Sequence, residues 1–381
     1  MAKFKKVVIN IVSGCIWNRE ARHSVRKKLS EFQYSEYREF LRFKMGRVRK
    51  KSVLLMEFNP FHGEVLAGII KYFYALGYNV DVAANEYLLK EKPLCRMGIH
   101  NIKTYAIYES TRALFMRTRH INQYAHVFLM TGKIYSDDGI FDNLARIIYK
   151  PKCSIYLIEH DTSRLKLHEK ASYKINGIVM LGKFPGATFV NAHNFGDIKL
   201  MPKHKRTTFV VVGNIVPFRK NFDMLVDAVT KLARAGLDFR VVCIGSGTFP
   251  LPDDVRPFIE TTGRLNFPDM FAQMEAADFF LPLLDPTNPD HDRYITTGVT
   301  GSAQLIYGFA KVPLIHEKFA PFYRFDKSNS IIYTGDNLST AMRDAISMSD
   351  ADYEKIRNNL RRTTCQIWDE SLGNLAGILK K

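Results

Sequence analysis

Short apolar runs that end at a glycine or a polar turn, each followed by an apolar period of 3.6, recur along two stretches of the chain. The first stretch opens with a strand at Val53–Phe58, a loop at Asn59–Gly63 and an amphipathic helix at Glu64–Leu76. Gly77 ends that helix and Val80–Ala83 forms the next strand, a complete βαβ opening. Further strands are predicted at Ile102–Ile107, His126–Leu129, Ser154–Ile158, Gly177–Met180 and Ala187–Val190. The second stretch begins at Phe209–Val212, which Gly213 breaks before a helical period. FRVVCIGSG, FIETTGRLNFPDMFAQMEAADFFLPLL and YITTGVTGSAQLIYGFAKVPLI repeat the strand-to-helix theme. After a strand at Ile331–Tyr333, helices are predicted at Leu338–Ser347, Asp352–Thr364 and Gln366–Lys381.

Strands alternating with helices predict an α/β architecture with parallel sheets. The basic, loop-like segment Met201–Thr208 separates the two stretches. The expected domains are therefore a leader at 1–50, a first domain at 51–203, a second at 204–365 and a terminal helix at 366–381 that crosses back to the first domain. In such sheets ligands sit at the carboxyl ends of the strands, where backbone N–H groups and helix N-termini hold phosphate. The second domain thus reads as a site for a nucleotide or a nucleotide sugar.

Charge changes the picture at one end. The net charge is +17, and residues 1–51 hold 15 Lys or Arg against 4 Glu. Between these charges lie Leu29, Phe32, Tyr34, Tyr37, Phe40, Leu41, Phe43 and Met45. Three uses fit this pattern: an anionic membrane surface, packing of the apolar residues on the first domain, or a nucleic-acid arm. The five cysteines, Cys15, Cys95, Cys153, Cys243 and Cys365, lie far apart and form no CxxC pair. That spacing points to neither a disulfide framework nor a zinc site and suits a reducing cytosol. No run is long enough for a membrane span, and Val7–Trp17 lacks the small-residue cleavage site of a signal peptide.

The order of motifs in the second domain resembles that of GT-B glycosyltransferases, most closely the bacterial enzymes of lipopolysaccharide and capsule synthesis (glycosyltransferase family 4). The likeness rests on Gly213 and Lys220 before the first helix, Gly245-Ser246-Gly247 after the second strand, Gly263, Ala276-Ala277-Asp278 leading to Pro282, and the loop and helix from Thr296 to Pro313. It covers residues 206–365, and the NPFHGE opening is similar to the acceptor domain of such enzymes. The resemblance implies two facing Rossmann-like doubly wound domains with a cleft between them. It also implies transfer of a sugar from a nucleotide donor to a glycan or lipid-linked acceptor, in the cytoplasm or on the inner face of the membrane. No cofactor and no divalent metal are implied, the donor being a substrate, and no specific nucleic acid is expected. Two departures stand out: Gly298 and Ile306 occupy the places of the paired glutamates, and Asn214 replaces an arginine.

Chemistry can be assigned on this frame. Thr297, Gly298, Thr300, Gly301 and Ser302 precede a helix, where glycines admit a backbone closely and hydroxyls suit a diphosphate. Arg219 and Lys220 can neutralise a leaving phosphate. Gly213, Asn214, Gly245, Ser246 and Gly247 edge the same side, and by the resemblance Arg264, Leu265 and Tyr294 border the donor. In the first domain His62, Glu64, His160 and Asp161 stand after strands and are candidates for the base that takes the acceptor proton. Each also has an ordinary use as a helix cap, a turn or a satisfied histidine. Asp290-His291-Asp292 looks like a metal cluster but equally fits a polar loop. A nucleotide-sugar epimerase of the same shape and a non-catalytic nucleic-acid-binding protein are the alternative readings.

Overall fold

A computed structural model describes residues 19–20, 22–23, 34–98, 101–136, 139–143, 151–168, 174–216 and 219–380. The Val7–Trp17 segment and most of the basic leader, Leu29 and Phe32 included, lie outside the described residues.

The first lobe carries β1 (Ser52–Glu57), β2 (Asn79–Asn85), β3 (Lys103–Ile107), β4 (His126–Leu129), the antiparallel pair β5 (Lys133–Ser136) and β6 (Gly139–Asn143), then β7 (Ser154–Glu159), β8 (Ile175–Met180) and β9 (Thr188–Phe189). Apart from the hairpin these form one parallel sheet in the order β3-β2-β1-β4-β7-β8-β9. The second lobe carries β10 (Thr207–Val212), β11 (Phe239–Ile244), β12 (Ile259–Gly263), β13 (Phe279–Phe280), β14 (Val312–His316) and β15 (Ile331–Tyr333). Its parallel order is β12-β11-β10-β13-β14-β15. In both sheets the strand order reverses beside the first strand, between β1 and β4 and between β10 and β13. Loops diverge there at the carboxyl edge and leave a crevice.

Burial explains why these runs are strands. Every residue of β1 is buried, and Val53, Leu54, Leu55 and Met56 are fully so, as befits a central parallel strand covered on both faces. The Gly63–Ala75 helix packs Leu66, Ile69, Ile70 and Phe73 on the sheet. Gly68 stands against the backbone of Ala192, where a side chain would collide.

Part of the leader belongs to this core. The Tyr34–Met45 helix buries Phe40 and Phe43, and Phe43 sits edge-on to Tyr105 of β3 at 5.1 Å. Over these residues the expected separate leader is therefore packed on the first lobe, while Leu41 and Met45 stay exposed.

Two expectations about local structure are corrected. Residues 290–294 are not a loop: Asn288 caps a helix at Pro289–Thr296, its side chain accepting from Asp290 N at 2.9 Å, with Pro289 in the first turn. The chain end is not two helices divided near 365. One helix runs from Asp350 to Leu379, because nothing near Thr364 to Trp368 breaks it and its buried stripe continues through Leu360, Ile367, Ser371, Leu375 and Ile378. This helix joins the lobes. Tyr353 Oη donates to Asp278 O in the second lobe (3.0 Å). Farther on, Trp368 stacks on Tyr72 at 4.2 Å and Tyr156 Oη donates to Ile378 O in the first.

Leu360 is fully buried at this junction. Leu360→Ala is expected to destabilise the protein by about 2–5 kcal/mol, the usual cost of such a cavity, read as a lowered urea midpoint.

Candidate functional site

The carboxyl edge of the first sheet presents two loops. After β1, His62 adopts left-handed backbone angles (φ 68°) and caps the Gly63–Ala75 helix, whose first turn holds Glu64. His62 Nδ1 and Glu64 Oε1 are 3.6 Å apart. After β7, His160 stacks on His62 with ring centroids 4.3 Å apart and planes inclined by 13°. His160 Nε2 faces Met130 O at 3.2 Å, so that nitrogen carries the proton and Nδ1 is the basic one.

The two imidazoles titrate in opposite directions. Burial, and then the positive charge of His62, press His160 down to about 4. Burial also works against charge on His62, but the Glu64 hydrogen bond and charge, with Glu57 behind them, outweigh it and raise the pKa. Burial opposes the charge of Glu64 as well; contact with His62 overrides it and holds the carboxyl below its ordinary value. The first lobe thus presents a weakly basic imidazole beside a more basic one that is paired with a carboxylate.

Three turns of the second lobe lie side by side. Gly213 N donates to Ile244 O, Ile215 N to Ser246 O (2.7 Å) and Gly245 N to Gly263 O (3.0 Å). Gly245 and Gly247 have φ of 153° and 112°, and any side chain there would strike the backbone of Gly213 or Ile215. Gly213, Asn214, Ser246, Gly247 and Arg264 remain exposed on this rim, with Leu265 half-buried. Lys220 lies beneath it: its Nζ donates to Pro282 O at 3.1 Å, and burial lowers its pKa to about 8. Arg219 is half-buried beside it. Asn221 caps the Phe222–Arg234 helix and also donates to Asp285 Oδ2 (2.8 Å), which ties the loops after β10 and β13 together.

The loop before the Ser302–Phe309 helix reaches across to the first lobe. Asp161 and Gly298 form an antiparallel bridge, and Thr162 N donates to Thr297 O at 2.7 Å. Arg293 Nη2 lies 3.4 Å from Asp161 Oδ2. A side chain at Gly298 would stand 2.9 Å from His160 O, which leaves no room for a larger residue. Gly301 is exposed and opposite Glu64, whose Oε1 would lie 4.0 Å from a Cβ there. Thr300 and Ser302 are buried: Thr300 N bonds Tyr323 Oη, and Thr300 Oγ1 accepts from Ser302 N at 3.3 Å. Tyr323 Oη in turn donates to Tyr294 O, so Tyr294 is anchored through its backbone.

The structure thus brings His62, Glu64, His160 and Asp161 against Thr297, Gly298 and Gly301, with Lys220 on the same sheet edge as that loop. Arg264, on the second-lobe rim, forms an ion pair across the seam with Glu91 (2.6 Å). His291 of the apparent metal cluster turns inward, its Nδ1 accepting from Asp285 N at 2.7 Å, and Asp292 pairs with Lys318. Among the described residues no group of three or more His, Cys, Asp or Glu side chains is gathered as metal ligands.

Two glutamates are buried at the ends of β1 and β7: sequence reading passed over Glu57 and gave Glu159, noted before His160, no role of its own. Glu57 accepts from Asn59 and from Thr131 Oγ1 (2.6 Å). Glu159 accepts from His160 N (2.7 Å) and faces His168 Nε2 at 2.7 Å. The available signal was a charge closing an otherwise apolar run, as in VLLME and IYLIE.

No family model and no curated protein matches this sequence. Solved structures do resemble the fold. A glycosyltransferase from Rickettsia africae aligns with a TM-score of 0.56 at 11% identity, covering 87% of this chain and 98% of that one. TarM of S. aureus aligns with 0.53 at 10% identity, covering 87% and 99%. Anabaena Alr3699/HepE in complex with UDP and glucose aligns with 0.53 at 12% identity, again covering 87% and 99%. At these identities the likeness establishes the architecture.

As the pH is lowered, His62 is expected to gain its proton before His160 in imidazole NMR spectra. His62→Asn, which tolerates the left-handed backbone, should move the His160 titration upward because it removes the neighbouring positive charge.

Proposed function

The chain has the GT-B fold, two facing lobes with parallel sheets, and we propose that it is a glycosyltransferase. It moves a sugar from a nucleotide donor to a glycan or a lipid-linked acceptor of the cell surface. The observation that carries this reading is the Asp161–Gly298 bridge, which sets the His62–Glu64–His160 group against the loop and helix start of the second lobe. The neighbours support it: HepE was solved with UDP and glucose, and TarM with α-GlcNAc-glycerol and UDP.

On this reading the second lobe holds the nucleotide diphosphate. As the bond from the anomeric carbon to phosphate oxygen breaks, the electron pair passes to the diphosphate. Lys220, Arg219 and the amides around Gly301 would take up that charge, so no resident cofactor is needed. Arg264, Leu265 and the exposed Gly213, Asn214, Ser246 and Gly247 border the nucleotide. The acceptor oxygen bonds to the anomeric carbon and gives its proton to a first-lobe base. We assign that base to His62 in its neutral form, made more basic by Glu64, since His160 is held at low basicity with its Nε2 committed to Met130 O.

A peripheral position on the inner face of the membrane belongs to the same proposal. Its support is the Tyr34–Met45 helix, where exposed Leu41 and Met45 lie among Arg38, Arg42 and Lys44. No described helix is long and apolar enough to cross a membrane.

UDP is expected to raise the melting temperature, and Lys220→Met should remove most of that rise. The sign of the pH effect follows from the free ammonium's pKa of about 8. A diphosphate favours the charged form, so affinity is full below that pH and falls by up to about tenfold per unit above it. The Met variant should lose this slope. A panel of nucleoside diphosphates and sugar nucleotides that shows no binding by calorimetry would defeat the assignment.

A further inference from the structure

Two carboxylates lie beneath the first-lobe loops in the same arrangement. Glu57 is the last residue of β1 and Glu159 the last of β7, on either side of β4, and both are fully buried. Each turns back to accept the amide of the loop that follows its own strand. Glu57 Oε1 accepts from Asn59 N (2.8 Å) and Asn59 Nδ2 (3.0 Å). Glu159 Oε1 accepts from His160 N (2.7 Å) and Asp161 N (3.2 Å).

The end of β4 serves both. Thr131 Oγ1 donates to Glu57 Oε2 at 2.6 Å. Gly132 leaves space for Glu159, whose Oε2 would stand 2.7 Å from a Cβ there. Glu159 is further met by His168 Nε2 at 2.7 Å and Arg164 Nη1 at 3.7 Å. Donors therefore converge on both groups, as an acceptor-only carboxylate requires; burial still raises the pKa of Glu57, whereas at Glu159 the hydrogen bonds from His168 and His160 N override burial and lower it. A buried charge is costly, and an apolar residue would pack the end of a central strand more simply. The charge sits where the loops bearing His62, His160 and Asp161 begin.

We propose that Glu57 and Glu159 are positioning residues: each hooks the loop after its strand, and together they fix the His62–His160 stack and Asp161 against the Thr297–Gly301 loop. Glu57 also acts on His62 through charge. The groups facing His62 are Glu64, Glu57, His160 and Arg164, of which the two carboxylates favour the imidazolium and Arg164 opposes it. The consequence for sugar transfer rests on the reading given above, whereas the hook itself does not.

Glu57→Gln keeps the shape and an acceptor oxygen but removes the charge. In imidazole NMR of the full chain, His62 should titrate lower by about half a unit or more. The Asn59 amide should exchange about tenfold faster or more, with amides elsewhere unchanged. Thr131→Val, which spares the carboxylate but removes one donor to it, should shift His62 the same way by less; it decides the matter should the Gln variant fail to fold. Glu159→Gln should speed exchange at His160 and Asp161 alone. For each Gln variant, UDP affinity should stay within about twofold, because the second lobe binds it, while turnover of UDP-glucose or UDP-N-acetylglucosamine falls about tenfold or more. An unmoved His62 titration with unchanged local exchange overturns the proposal, as does full turnover in a variant whose loops are released. Wild-type protein that neither binds UDP nor consumes sugar nucleotides defeats the transferase reading instead, and the NMR result still decides the hook.

Discussion

The backbone bridge between Asp161 and Gly298 is the contact on which the site depends. It joins the carboxyl edge of one sheet to the loop of the other without any side chain between them. Only glycine permits this, since a Cβ at 298 would press on the carbonyl of His160. The bridge brings the His62–His160 stack beside the Ser302–Phe309 helix start. Two carboxylates near it, Glu64 and Asp161, come from the first lobe.

Both edges meeting at this crevice are stiffened by buried polar groups. On the second-lobe side the turns after β10, β11 and β12 bond to one another, and Lys220 reaches the carbonyl of Pro282 beneath them. On the first-lobe side Glu57 and Glu159 hold the loops from below. Asp278 shows the same economy at the opposite edge of the second sheet. It accepts from His204 and Thr208 and so fastens the segment by which the chain enters that lobe. Glu57, Glu159 and Asp278 all sit at or beside strand ends, where backbone amides that leave the ladder need acceptors.

The lobes are held in register away from the crevice as well. The Asp350–Leu379 helix binds both sheets' surroundings, through Tyr353 to Asp278 and through Ser371, Asn374 and Ile378 to the first lobe. Asn191 and His193 lie buried where the chain first passes between lobes, and Gly308 gives His193 O room. A long helix with one continuous apolar stripe can brace two lobes because its rigidity carries position over many turns.

The sequence by itself determined the strands, their parallel pairing and the two-lobed plan, since alternating periods and glycine breaks after β10, β11 and β12 are local signals. It also marked His62, Glu64, His160 and Asp161 as residues that follow strands. Where local signals compete, it misread: the polar composition of residues 290–294 hid a capped helix, and the polar residues near 365 hid one helix rather than two. Only the tertiary structure decided that His62 stacks on His160, that Thr300 and Ser302 turn inward and that Arg264 pairs with Glu91. The reason is physical. Strand and helix formation depend on neighbours along the chain, whereas the charge on an imidazole or a lysine depends on burial and on partners a hundred residues away.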